Sequence, residues 1–158
     1  MQGLKTIYAR NCVVKRIDKP TAAAFMAAAH RLGDTGCRYR YGLFVSRSTG
    51  AAETEVESGT LVAAAEFSNA RRWIKDGRKI SSYEWIRYAS LPGVRVVGGM
   101  SKLLKAFVDE VKPDDIMSYC DEKAEDRGNA YLQLGFELED RIERESFTNL
   151  KFRKRFSY

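Results

Sequence analysis

Apolar and polar residues alternate along this chain in two rhythms, one of period two and one near 3.6, and the changes between them mark out its elements. Residues 6–17 alternate loosely and predict a first strand. Asp18, Lys19, Pro20 and Thr21 then form a helix start, with proline near the first helical position, and Ala22, Phe25, Met26 and Ala29 make one apolar stripe. This helix ends near Arg31, Leu32 and Gly33, which leaves His30 at its C-terminus, where the helix dipole favours a protonated imidazole. Residues 38–45 predict a strand whose first half interleaves Arg38 and Arg40 with Tyr39 and Tyr41. Residues 46–59 are small, polar and acidic, as in a hairpin loop. A buried strand resumes over 60–67, where Ala63, Ala64 and Ala65 imply a helix packed close above it and Glu66 is the odd member.

The second half begins with the most basic stretch of the chain. Residues 69–79 place Arg71, Arg72, Lys75, Arg78 and Lys79 around Trp73, opposed only by Asp76, and read as a solvated loop. Residues 82–89 are aromatic and β-branched without Gly or Pro, which suits a strand. Glu84 and Arg87 fall on opposite faces of that strand, so they are not expected to pair with each other. Leu103, Leu104, Phe107, Val108 and Val111 recur at helical spacing until Pro113 stops them, and residues 115–121 predict a further strand. Residues 136–144 and 147–158 form an expected closing hairpin around Glu145 and Ser146, with Phe147, Leu150, Phe152 and Phe156 giving it a buried side.

Size and composition narrow the classes. With 158 residues, 44% hydrophobic and 30% charged, the chain is expected to fold as one domain over 1–158 around a single core. No apolar run approaches the roughly 20 residues needed to cross a bilayer. The opening Met1, Gln2, Gly3, Leu4 and Lys5 lack the apolar stretch of a secretory signal, so a cytoplasmic location is expected. Cys12, Cys37 and Cys120 are odd in number and far apart, unlike a disulfide framework or a zinc site, and His30 is the only histidine. Neither a metal centre nor a Ser-His-Asp relay is therefore expected. The net charge of +6 favours anionic partners, a nucleotide cofactor or nucleic acid.

Chemistry concentrates where the strand at 82–89 gives way to the helix at 103–111. Between them lie Leu91, Pro92, Gly93, Val94, Arg95, Val96, Val97, Gly98, Gly99, Met100, Ser101 and Lys102. Two adjacent glycines let the backbone turn sharply before a helix whose first N–H groups lack intrahelical partners, with Ser101 or a neighbour as the expected cap. Arg95 and Lys102 add positive charge on either side, and the whole reads as a phosphate cradle or as an ordinary tight turn.

The run from Arg95 to Met100 resembles the Arg/Gln-x-x-Gly-x-Gly/Ala pyrophosphate loop of the GCN5-related N-acetyltransferases (GNAT), with Pro92 ahead of it and Ser101, Leu103 and Leu104 behind. Met100 departs from the pattern. A second match lies downstream, where Tyr131, Gly135 and Phe136 resemble the Tyr-x-x-x-Gly-Phe ending the helix after the next strand; Ala124 and Arg127 stand where many members carry Asn-x-x-Ala. The resemblance implies an α/β fold with a mixed, mostly antiparallel twisted sheet flanked by helices, and acetyl-CoA or another acyl-CoA as cofactor. It places Tyr88, Ala89 and Ser90 along the pantetheine arm and residues 95–102 at the pyrophosphate. It makes Tyr131 the acid that protonates a leaving thiolate, Glu84 the candidate base and Asp121 the competing carboxylate. His30, Tyr41, Arg87, Arg71 and Arg72 are the expected acceptor contacts.

Three acceptor readings stand. One is a small-molecule or protein amine. A second is a DNA base, because the first helix with His30, the strand with Gly42, Leu43 and Phe44, Glu84 with Arg87, and Ser118 to Asp121 ahead of Tyr131 are loosely similar to phage Mom-type DNA-modification proteins and mobile-element domains. The basic segments 71–79 and 151–155 are what nucleic acid needs. The third is a non-catalytic, nucleic-acid-binding module that keeps the fold, motivated by Met100 and by Ala124 and Arg127 in place of Asn-x-x-Ala. The last strand is a candidate edge for a homodimer.

Overall fold

The computed structural model describes residues 4–46 and 56–158. Met1, Gln2 and Gly3, and most of the polar loop expected over 46–59, lie outside the described residues. The chain divides into two compact units, Met1–Phe67 with Arg87–Lys112 and Ser68–Ile86 with Pro113–Tyr158.

In the first unit the expected opening strand is two strands, β1 (Lys5–Tyr8) and β2 (Cys12–Arg16), separated by a 3₁₀ turn (Ala9–Asn11). Helix α1 (Lys19–Ala29) starts as its sequence predicts, with Pro20 in the first turn and Asp18 accepting the Thr21 N–H at 2.9 Å. Strand β2 pairs antiparallel with β3 (Tyr39–Val45), and β3 with β4 (Leu61–Phe67). Phe25 and Met26 of α1 pack on Ala64 and Ala89, ringed by Ile17, Ala29, Leu61 and Leu91. The alanine methyls let the helix approach closely, as the alanine run implies. Helix α2 (Gly99–Val111) buries Leu103, Leu104 and Phe107, whose ring stacks on Phe67 with centroids 4.0 Å apart. The stretch before α2 is not all loop: β7 (Val94–Val97) pairs in parallel with β1, satisfying backbone groups that the sequence alone leaves open.

In the second unit the basic stretch is a strand, β5 (Arg71–Lys75), not the expected loop. It forms a hairpin with β6 (Arg78–Ser90), which contributes 78–86 to this unit and 87–90 to the first. Asp76 and Gly77 both take positive φ, 51° and 75°, the geometry of a two-residue turn matched to strand twist. Strand β8 (Asp115–Asp121) runs parallel to β6 over three pairs ending at Glu84↔Met117. It pairs antiparallel with β10 (Thr148–Arg155), and β10 with β9 (Glu137–Glu143), the expected closing hairpin. Helix α3 (Glu125–Gln133) presents Tyr131 to a core of Trp85, Phe136 and Phe152. The parallel pairs are β1 with β7 and β6 with β8; the others described here are antiparallel. Among the described residues no helix is long and apolar enough to cross a membrane.

Candidate functional site

The glycine loop is built from its ends inward. Gly93 turns with φ of 81°, and its carbonyl accepts the Lys5 N–H at 2.9 Å, so β1 braces the loop wall through β7. Gly98 is left-handed at φ 81° and serves as the N-cap of α2, with no side chain capping the helix. Ser101, the expected cap, already lies inside the helix. The first turn of α2 therefore begins with uncapped N–H groups behind a residue only glycine occupies cheaply. Gly99 is required for a different reason: a Cβ there would sit 2.7 Å from the Tyr88 hydroxyl and 2.9 Å from Val96 Cγ1. Arg95, Val97 and Ser101 are exposed, while Val96 and Met100 are half-buried. Lys102 differs from expectation. Its ammonium donates to the carbonyls of Ala9 (2.8 Å) and Cys12 (2.6 Å), across the 3₁₀ turn, and is spent inside the unit. Tyr88 and Ala89 are buried and Ser90 is half-buried, and beyond them the Leu91 N–H is taken by the Val62 carbonyl at 2.8 Å.

His30 and Arg87 meet the same loop after α1. The His30 N–H caps the Met26 carbonyl at 2.9 Å, and its Nδ1 accepts the Leu32 N–H at 3.0 Å. That bond ties the imidazole to the turn that follows α1. Arg87 Nε donates to the Gly33 carbonyl at 3.1 Å. Tyr41 is not with them. It is 3% exposed, its hydroxyl donates to Glu110 of α2 at 2.6 Å, and its ring meets Phe67 and Phe107 edge-on, so it braces α2 instead of lining an acceptor cleft.

The same loop carries a cluster that the pattern of the sequence hinted at only through Glu66. Glu66 is fully buried and accepts from the Cys37 thiol at 3.4 Å, with Arg40 Nε 3.8 Å from the same oxygen. Its other oxygen, Oε1, is buried without a hydrogen-bond partner, and so is Asp34 Oδ1. Burial, and then the neighbouring Asp34 carboxyl, push Glu66 up to about 7. A proton kept on Glu66 brings a donor to this pair of buried carboxyl oxygens, which otherwise has none. Burial and Glu66 together push the Cys37 thiol up to about 12, which keeps it protonated and unreactive. Among the described residues no set of His, Cys, Asp and Glu could hold a metal ion.

In the second unit Tyr131 is 3% exposed, its hydroxyl 2.6 Å from Ser118 Oγ, which donates in turn to the Trp85 carbonyl at 2.8 Å. Trp85 follows Glu84, the last residue of β6 in the ladder with β8, and the Ser118 hydroxyl reaches its carbonyl from β8. Burial raises the Tyr131 phenol, against the smaller lowering effect of Arg127. Glu84 is half-buried, its backbone held on both sides by Ser68 (2.8 and 2.9 Å). Asp121 accepts the Lys123 N–H at 2.9 Å and shapes the turn into α3. Arg71 and Arg72 are exposed on β5.

Solved structures share this arrangement of elements. Arabidopsis thaliana NAA60 in complex with a bisubstrate analogue superposes with a TM-score of 0.67 at 11% identity, covering 92% of this chain and 99% of that one. The ribosomal-protein-S18-alanine N-acetyltransferase from Escherichia coli gives 0.64 at 14% identity over 93% and 95%. Arabidopsis thaliana Naa50 in complex with a bisubstrate analogue gives 0.64 at 15% identity over 92% and 99%. No family model matches the sequence, and no curated protein matches it either. At such identities the likeness carries architecture and not chemistry, and that architecture is plain: the chain has the fold of the GCN5-related N-acetyltransferases.

Proposed function

We propose that the chain is an acyl-CoA-dependent N-acyltransferase that moves an acyl group, acetyl in the simplest case, onto an amine. The observation that carries this reading is the start of α2, where left-handed Gly98 opens a helix that no side chain caps. Uncapped N–H groups and the positive end of the helix dipole suit a diphosphate, and exposed Arg95 adds charge beside them. The backbone of Tyr88, Ala89 and Ser90 is assigned to the pantetheine arm, and an acyl-CoA bound there supplies an activated thioester.

The remaining chemistry falls to side chains. Tyr131 keeps its proton at neutral pH because burial raises its phenol, as a donor to a departing thiolate must, and Ser118 orients the hydroxyl. Glu84 is the candidate base that relieves the attacking amine of its proton, and Asp121, which accepts the Lys123 N–H, is the competing carboxylate. Replacing Tyr131 by Phe and Glu84 by Gln should each slow turnover more than about tenfold; unchanged turnover in both removes these roles.

The acceptor is assigned to the amine class. Two of the similar proteins were crystallised with bisubstrate analogues, and one is described as acting on an alanine of a ribosomal protein. The exposed basic strand β5 favours a second reading in which the amine belongs to a nucleobase.

Calorimetric titration with acetyl-CoA tests the cofactor assignment through an isosteric pair. Gly98→Asn and Gly98→Asp both tolerate a left-handed backbone, and only the second puts a negative charge in the cradle. Binding that survives in the Asn variant and weakens at least about tenfold in the Asp variant is expected. Equal affinities would remove the cradle.

A further inference from the structure

We propose that the second unit carries a binding groove for single-stranded nucleic acid, with Trp73 as its base-stacking platform and Lys75, Arg78 and Arg155 as its phosphate contacts. The two basic segments are far apart in sequence, and the structure brings both to the wall of one groove of about 830 Å³. In the β5–β6 ladder Trp73 faces Ile80 and Lys75 faces Arg78, so these four share a face, and β10 with the residues after it adds Arg155 and Phe156.

Trp73 is 42% exposed yet held in place. Its indole N–H donates to Ser82 Oγ at 2.9 Å, and Ser82 donates to Asp115 Oδ2 at 2.8 Å. The other oxygen of Asp115 takes Arg153, which also reaches Glu139 at 2.5 Å. The ring edge is thus anchored to a mostly buried polar floor, while the residue as a whole lines the groove and keeps 42% of its surface exposed. An aromatic held in one orientation loses little freedom when a base stacks on it.

Charge sorts in the same way. Acidic groups also line the groove: Asp76 is exposed at the hairpin tip beside Lys75 and Arg78, while the inner ones are engaged, Asp115 by Ser82 and Arg153, Glu139 by Lys151 and Arg153, and Asp114 by the Ser81 N–H at 2.7 Å. The outer cations are not neutralised to that degree. Arg78 lies 3.9 Å from Asp114 with 76% of its side chain exposed, Arg155 lies 3.6 Å from Glu139 with 63% exposed, and Lys75 is exposed at the hairpin end. A concave groove with an exposed indole and a cationic rim suits a flexible polyanion whose bases are unstacked. A duplex hides its base faces, and a membrane surface wants a convex apolar face, so both fit less well. The inference stands apart from acyl transfer and holds whether or not the chain transfers acyl groups.

The test is fluorescence anisotropy with a labelled single-stranded 12-mer of mixed sequence, its duplex, a mononucleotide and anionic phospholipid vesicles. The single strand is expected to bind tightest, with log K falling against log salt at a slope of about −2, as roughly three phosphate contacts require. Trp73→Ala should weaken binding about tenfold and leave the slope unchanged; the double variant Lys75→Gln, Arg155→Gln should flatten the slope by about 1.4. All three positions are exposed, and unaltered circular dichroism confirms that the variants fold. A mononucleotide binding as tightly as the 12-mer would overturn the strand assignment. Tighter binding to duplex or vesicles, a slope near zero, or no effect of Trp73→Ala would overturn the groove. Acetyl-CoA titration of the same variants separates this result from the cofactor reading, because the loop at Gly98 is untouched.

Discussion

Glu66 shows how one side chain sets a property of the whole chain. Its carboxyl is fully buried beside Asp34, and its proton is held up to about 7, whereas an ordinary glutamate releases it near 4.5. A folded value raised above the unfolded one means the unfolded chain binds fewer protons between those limits, so stability falls as pH rises through that window. The contribution is full below about 4.5 and lost by about 7, on the order of 3 kcal/mol. Urea denaturation of the native chain at pH 5 and pH 8 should show this loss, and Glu66→Gln, which keeps the shape and offers Asp34 an amide donor, should abolish it. A wild-type midpoint that does not move between the two pH values would mean that Glu66 keeps its ordinary value. Glu139 works at the other end of the scale: Arg153 and Lys151 hold it down to about 2, so its contribution disappears only in acid.

At the scale of elements, α2 and its approach hold the cofactor reading together. Lys102 binds the first turns of α2 to the carbonyls of Ala9 and Cys12. Lys102→Met should therefore cost about 1–3 kcal/mol in thermal denaturation, since it leaves two carbonyls without this donor, and should weaken acetyl-CoA binding by displacing the helix start. A variant as stable as the native chain that binds acetyl-CoA equally well would show that the clamp carries nothing. Elements also show what a sequence does and does not announce. Helix α1 was legible because Asp18, Pro20 and the stripe from Ala22 to Met26 are local signals. The sequence leaves the cap of α2 to Ser101 or a neighbour, and the structure puts it at Gly98, where a left-handed glycine performs the opening in place of a hydroxyl. Strand β5 was read as loop on the strength of its cations, although Asp76 followed by Gly77 is a hairpin signal that outweighs charge. The pairing of β1 with β7 had no local signal at all, being parallel and remote in sequence.

For the molecule as a whole, the alternation of strands and helices and the two motifs around Gly98 and Tyr131 were enough to reach the fold. They were not enough to sort buried from available side chains. Tyr41 alternates correctly for a strand, yet which face it takes depends on α2, and it spends its hydroxyl on Glu110. Asp34, Cys37 and Arg40 become neighbours of Glu66 only when β3 and β4 pair and the loop after α1 folds over them.

The proton that Glu66 keeps makes folding itself an acid–base reaction near neutrality. A chain that folds at pH 6 draws a hydrogen ion from its surroundings as the carboxyl leaves water, and gives it back when it opens. The heat exchanged with the medium then includes the ionisation of whatever buffer supplied that ion, so the enthalpy of folding belongs to protein and solution jointly.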